Sequence, residues 1–256
     1  MYVVLVDANA RLSALTEVLQ QAGELDVAEM ASALGTAEMT IRRDLDRMVA
    51  MGIARRVRGG AISLLMRGEE LPFAMRVLDR GDAKARIAAA VAEVLRDGEA
   101  VLLDSGTTAV LVARALAGRR LTVMPMSLHA ASALAAHESI RLLLPGGETR
   151  PGELSMVGPL ALASIGALRF DTAVLSCCGL ADGRITAHDL GDASVKQAMA
   201  GAAARVILAT DSTKFRQTAM AVVGPVTTAD MVITDSDAPA DAVDALRATG
   251  LEVRCV

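Results

Sequence analysis

The chain has 256 residues, 53 % of them hydrophobic, and a net charge of −4. That is enough for one large α/β domain or two domains whose cores need neither disulfides nor metals. One Tyr, three Phe and no Trp supply no row of platforms for stacked bases, which argues against single-strand and RNA binding, and the acidic balance excludes a uniformly basic coat.

The run Tyr2 to Val6 is apolar but lacks a basic flank and is too short for a signal peptide. From Ala10 the apolar spacing turns helical, with Leu12, Leu15, Val18 and Leu19 predicting a first helix to about Gln21, closed at Gly23. Asp26, with Glu29 three residues on, opens a second helix in a capping-box arrangement, and Leu34-Gly35 ends it. A third begins near Thr36 and runs to Met51, with Gly52 closing it. Two short helices joined by a tight glycine-containing turn make a helix-turn-helix, whose last helix is placed to enter the major groove. Ile53, Arg55 and Val57 then alternate as in a strand, and Gly59-Gly60 reads as the turn of a basic hairpin, a wing.

Between Arg42 and Gly60 stand six Arg and two Asp, net +4, which leaves −8 for the rest of the chain. One compact basic surface on an acidic protein points to local contact with a polyanion. For Arg42, Arg43 and Arg47 alone, a solvated helix face beside Asp44 and Asp46 is the plain alternative. The domain boundaries read as 10–63 for this winged unit, 64–81 for a linker containing Gly68, Pro72 and Gly81, and 82–256 for the remainder.

That remainder alternates strands and helices. A helix over Asp82 to Arg96 carries Ile87, Val91, Val94 and Leu95 on one face. Strands are predicted at Ala100–Leu103, Leu121–Met124, Ile140–Leu144, Thr172–Cys177, Arg205–Ala209, Met231–Thr234 and Leu251–Cys255. The fold class is therefore α/β: a winged helix-turn-helix followed by a Rossmann-like, mostly parallel domain that takes ligands at the carboxyl ends of its strands. The longest uncharged window, Leu121 to His137, is broken by Pro125, Ser127 and His129 and reads as strand then helix rather than a membrane span, so a cytoplasmic protein is expected.

The first strand runs into Asp104-Ser105-Gly106-Thr107-Thr108, where free amides at a helix start, a glycine and two hydroxyls form a small anion cradle, or else a simple threonine cap. Gly146-Gly147-Glu148-Thr149-Arg150 and Asp211-Ser212-Thr213-Lys214-Phe215 follow two other strands. Arg150 and Lys214 supply positive charge there, and Asp104 and Glu148 can accept sugar hydroxyls. Cys177, Cys178 and Cys255 have no metal spacing, and the adjacent pair reads as buried core thiols. His129, His137 and His188 are scattered, so neither a metal nor a cofactor is expected; Met39, Met48 and Met51 read as packing residues.

Thr40-Ile41-Arg42-Arg43-Asp44-Leu45, then Gly52, Arg55 and Gly59-Gly60-Ala61, resemble the winged helix of the DeoR family of bacterial transcription regulators. Where that family usually has Ser at the start of the recognition helix, this chain has Ala37, and Thr36 is expected to cap instead. On this resemblance Thr40, Arg42 and Arg43 contact the groove, Arg47 lies beside them, and Arg55, Arg56 and Arg58 clamp phosphates around the Gly59-Gly60 turn. Ile41, Leu45 and Met48 are core, and Asp44 bonds an Arg to fix its fork. The second half resembles the family's effector domain, itself similar in fold to sugar-phosphate isomerases, at Lys84, Asp104, Gly106-Thr107-Thr108, Gly146-Gly147, Gly158, Gly179, Gly183, Lys196 and Asp211 through Phe215. The departures are Pro125-Met126, where Thr-Asn is common, and Ser176, where Gly is usual.

The resemblance implies a homo-oligomer, dimer or tetramer, that binds double-stranded operator DNA. A phosphorylated sugar or related metabolite would control it through Asp104, Gly106, Thr107, Thr108, Gly146, Gly147, Glu148, Arg150, Lys196 and Lys214. The alternatives are an isomerase-like enzyme with an appended DNA-binding module, using Asp104, Glu148 or Asp211 as base, and a second half that serves only for oligomerisation. Of the 26 cations only Lys84, Lys196 and Lys214 are lysines, and all fall in the effector half. Lys214, in a strand-end loop, is the first candidate for effector contact, Lys196 the second, and Lys84 reads as structural.

Overall fold

The structure, a computed structural model, describes residues 8–65 and 70–256. The apolar run Tyr2 to Val6 and part of the expected linker lie outside them. The chain divides into two units between Asp79 and Arg80.

The first unit contains α1 (Ala8–Ala22), β1 (Glu24–Asp26), α2 (Val27–Ala33), α3 (Glu38–Ala50), β2 (Ala54–Val57), β3 (Gly60–Ser63) and α4 (Phe73–Leu78). Gly23, at φ 79°, ends α1. The Asp26 carboxylate then caps α2, accepting from the amides of Ala28 at 2.8 Å and Glu29 at 3.0 Å. Leu12, Leu15 and Leu19 of α1 pack with Ile41, Leu45 and Met48 of α3 in one core. Three expectations need correcting. The N-cap of α3 is Ala37 and makes no side-chain bond, so Thr36 does not cap. Val57 pairs with Gly60, which places the turn at Arg58-Gly59 and puts Gly60 in the strand. Val57 is exposed, and Ala54 is the buried residue of β2. β1 was not expected: it pairs antiparallel with β3 and makes a three-stranded sheet of order β1-β3-β2. The stretch read as linker carries α4, whose Met75 joins the same core.

The second unit runs α5 (Gly81–Val94), β4 (Ala100–Leu103), α6 (Gly106–Ala115), β5 (Thr122–Pro125), α7 (Leu128–Leu134), β6 (Arg141–Leu142), β7 (Glu148–Thr149), β8 (Met156–Val157), α8 (Pro159–Gly166), β9 (Phe170–Leu175), β10 (Gly179–Ala181), β11 (Arg184–Ala187), α9 (Leu190–Ala202), β12 (Ala203–Ala209), β13 (Ala221–Pro225), β14 (Met231–Thr234), α10 (Ala240–Ala248) and β15 (Glu252–Cys255). Seven strands form a parallel sheet of order β15-β14-β12-β9-β4-β5-β6. Each of the seven corresponds to a predicted run. Consecutive buried residues in β4, β9, β12 and β14 show that both faces are covered, which is why those segments read as unbroken apolar runs. Strand order reverses between β4 and β9, so the crevice at their carboxyl ends is the topological switch point. Two small antiparallel pieces, β7-β8 and β10-β11-β13, were not predicted. No helix among the described residues is long and apolar enough to cross a membrane.

Candidate functional site

On α3 the stripe Ile41, Asp44, Leu45 and Met48 is buried, which leaves Arg42, Arg43 and Arg47 on the exposed side. Asp44 accepts from Arg11 Nε of α1 at 2.5 Å, so the expected Arg partner lies in the first helix rather than beside it. Arg42 bonds Glu38 at 2.7 Å, one turn earlier. Arg55, Arg56, Arg58 and Gly59 are exposed on the wing, and Arg56 lies 3.6 Å from Asp46, so helix and wing form one basic surface. Thr36 and Thr40 are half-buried. Gly60 is buried, and a Cβ there would lie 1.9 Å from the Leu25 carbonyl oxygen. Its role is close backbone approach within the sheet. Met48 is core and Met51 partly buried, but Met39 is exposed, against its reading as a packing residue.

In the second unit the carboxyl ends of the strands carry the polar groups. Asp104, just past β4, is buried, and its carboxylate accepts from the Ser176 amide at 2.7 Å and the Ser176 hydroxyl at 2.8 Å, directly across the switch point. The Lys196 ammonium of α9 binds the same oxygen. Beside this trio α6 begins: Gly106 takes φ 89°, Ser105 caps without a side-chain bond, and Thr107 and Thr108 are buried. Asp192, one turn before Lys196 on α9, binds the Arg150 guanidinium and accepts from Ser155 Oγ at 2.8 Å. Arg150 is thereby joined to the helix that carries Lys196.

The remaining candidates are placed differently. The Gly146 amide donates to Ser164 Oγ at 3.1 Å, and a Cβ on Gly147 would lie 2.6 Å from Val157 O, so both glycines fit against α8 and β8. Glu148 is exposed on β7. Lys214 closes a 3₁₀ turn, Ser212–Lys214, capped by Asp211. Burial alone would raise the Asp211 pKa, but Lys214, the Thr213 hydrogen bonds and Lys84 together hold it below the ordinary 3.8. Lys84 is buried on α5 and acts on Asp211, not on open solvent.

Ser176, Asp192 and Asp235 were missed as site-building residues. Asp235, past β14, accepts from the Ser212 amide at 2.6 Å and hydroxyl at 2.9 Å, and so fixes the Lys214 turn. Ser176 and Asp235 each directly follow an apolar strand run, and that position was a usable signal. Cys177 is buried, and burial pushes its thiol up to about 12. Met126 is buried in the core with Met124 and Met156, so the Pro125-Met126 departure gives packing, not a polar ligand.

A winged helix-turn-helix with a basic face, followed by a doubly wound domain whose strand ends gather polar groups, defines a ligand-sensing DNA-binding regulator. Residues 79–236 match the family model of the DeoR C terminal sensor domain, and residues 11–65 that of the DeoR-like helix-turn-helix domain. The chain belongs to the DeoR family of transcriptional regulators. It is 30 % identical over 238 residues to the glycerol-3-phosphate regulon repressor of Escherichia coli, covering 92 % of this chain and 94 % of that one. It is 32 % identical over 229 residues to the transcriptional repressor AccR of Agrobacterium fabrum, covering 88 % and 89 %. Among solved structures, ribose 5-phosphate isomerase A of Methanocaldococcus jannaschii aligns at 16 % identity and a TM-score of 0.40, over 54 % of this chain and 55 % of that one.

Proposed function

We propose that the protein is a repressor that acts as a homo-oligomer in the cytoplasm, and that a phosphorylated sugar or related metabolite controls it at the carboxyl edge of the parallel sheet. The observation that carries this reading is the start of α6. Its first amides have no side-chain cap, Gly106 lets the backbone turn, and the Lys196–Asp104–Ser176 cluster stands beside it at the switch point. Gly106, Thr107 and Thr108 take the phosphate in this reading, and Lys214 and Arg150 add positive charge. The name of the glycerol-3-phosphate regulon repressor supports a phosphorylated ligand. Asp104 is held by a lysine and a serine in a buried cluster, which suits fixed geometry better than proton transfer and favours a sensor over an isomerase.

In the same reading Thr40, Arg42 and Arg43 face the major groove, and Arg47, Arg55, Arg56 and Arg58 bind phosphates. Paired half-sites about one helical turn apart call for a two-fold assembly. If it neutralises roughly 6–10 phosphates, affinity falls about 10³–10⁵-fold between 50 and 200 mM salt.

The test is release from DNA combined with thermal shift, across a panel of phosphorylated sugars and their unphosphorylated counterparts. A true effector at 100 times its Kd adds about 2.7 kcal/mol and changes DNA binding. Absence of both effects across the panel overturns the effector reading, and an oligomer mass equal to one chain by sedimentation overturns the assembly.

A further inference from the structure

The apolar residues of α3 fall into two groups. Ile41, Leu45 and Met48 are each 0 % exposed, whereas Met39 in the first turn is 56 % exposed and Val49 near the end 36 %. Helical geometry gives the reason. At about 100° per residue, the buried positions 41, 44, 45 and 48 centre on one side, and position 39 falls nearly opposite their middle. Arg42 and Arg43, three and four residues on, share that outer face with Met39, and the Arg42–Glu38 bond holds one guanidinium over the same first turn. Anything that approaches those two arginines also meets the Met39 thioether. Of the exposed large apolar side chains on α3 and the wing (Met39, Val49 and Val57), Met39 is the most exposed and the only one in the first turn of α3.

A recognition helix presents its N-terminal residues to base edges. The apolar group displayed in the major groove is the C5 methyl of thymine. We propose that Met39 is a base-reading residue which packs on a thymine methyl in each half-site; the inference rests on the groove-facing role proposed for α3. Arginine reads guanine through N7 and O6 but has no purchase on a methyl group, so Met39 adds a discrimination that Arg42 and Arg43 cannot supply. An unbranched, polarisable side chain can settle against a methyl at some distance from the helix.

The experiment uses the full chain and a duplex that it selects from a randomised library. Each thymine of the selected duplex is replaced in turn by deoxyuridine, which removes only the methyl. The wild-type protein is expected to lose about fourfold in affinity at one thymine per half-site, the worth of one apolar carbon. Met39→Ala, a change at an exposed position, is expected to melt like wild type and to bind the thymine and deoxyuridine duplexes equally. The proposal is overturned if wild type is indifferent at every thymine, or if Met39→Ala keeps the same sensitivity. A library that yields no enriched sequence removes the groove-reading role itself, which is a different result from either.

Discussion

The Lys196 ammonium and the Asp104 carboxylate meet with their side chains only 4 % and 3 % exposed, 92 residues apart in sequence. The contact ties α9 to the end of β4 and, through Ser176, to the end of β9. Removing one partner strands the other as a buried charge. Lys196→Met is expected to destabilise the second unit by about 3–5 kcal/mol. Adding Asp104→Asn should recover part of that loss, as read from a double-mutant cycle of urea midpoints.

Asp211 gives the fold an acid limit. Its folded pKa lies below the ordinary 3.8, because Lys214, the Thr213 bonds and Lys84 outweigh the effect of burial. A depressed carboxylate contributes stability that is complete above the unfolded pKa and fades as pH falls through the folded one. Wild type should therefore lose stability below about pH 4 more steeply than Asp211→Asn, in urea titrations taken at successive pH values.

Gly60→Ala tests the wing. The new methyl would meet Leu25 O at 1.9 Å, so β1 and β3 must part. A loss of about 1–3 kcal/mol in the first unit is expected, with DNA binding weakened and effector-induced thermal shifts of the second unit intact. Gly59→Asn, at φ 84° in the turn and facing open space apart from the Asp26 carboxylate, should be tolerated far better.

Glu38→Gln frees Arg42 from its exposed partner. Such a pair adds little stability, about 0.3–0.5 kcal/mol, so melting should barely change. The carboxylate lost from the turn proposed to face DNA is worth roughly 1 kcal/mol against a phosphate about 4 Å away in water. Affinity for random duplex should rise about fivefold at low salt and less at high salt, as measured by fluorescence anisotropy.

The large parallel sheet was legible because its strands are buried on both faces, so Val101 to Leu103 or Met231 to Ile233 appear as plain apolar runs. β1 was not legible: Glu24-Leu25-Asp26 has one apolar residue, and its pairing depends on Gly60 to Ile62, far along the chain. The Gly59-Gly60 dipeptide admits two turn registers, and the approach of Leu25 to Gly60 selects one of them. At the carboxyl edge of the sheet, residue types were readable but partners were not. Asp104 stands out by type as a sugar acceptor, but the bonds of Lys196 and Ser176 to its Oδ2 are not readable, because only the folded strand order brings those residues together. Met39 was open to a better reading, since its spacing from Ile41, Leu45 and Met48 places it on the opposite face.

Asp26 holds two positions at once: it pairs with Gly60 in the sheet, and its carboxylate caps α2. One residue thus anchors the wing to the first helix of the helix-turn-helix, while Arg11 and Asp44 anchor α1 to the recognition helix. Through Asp26 the wing and α2 share one anchor. In the proposed function, a signal that releases the protein from DNA would therefore act on the wing and the helix-turn-helix together.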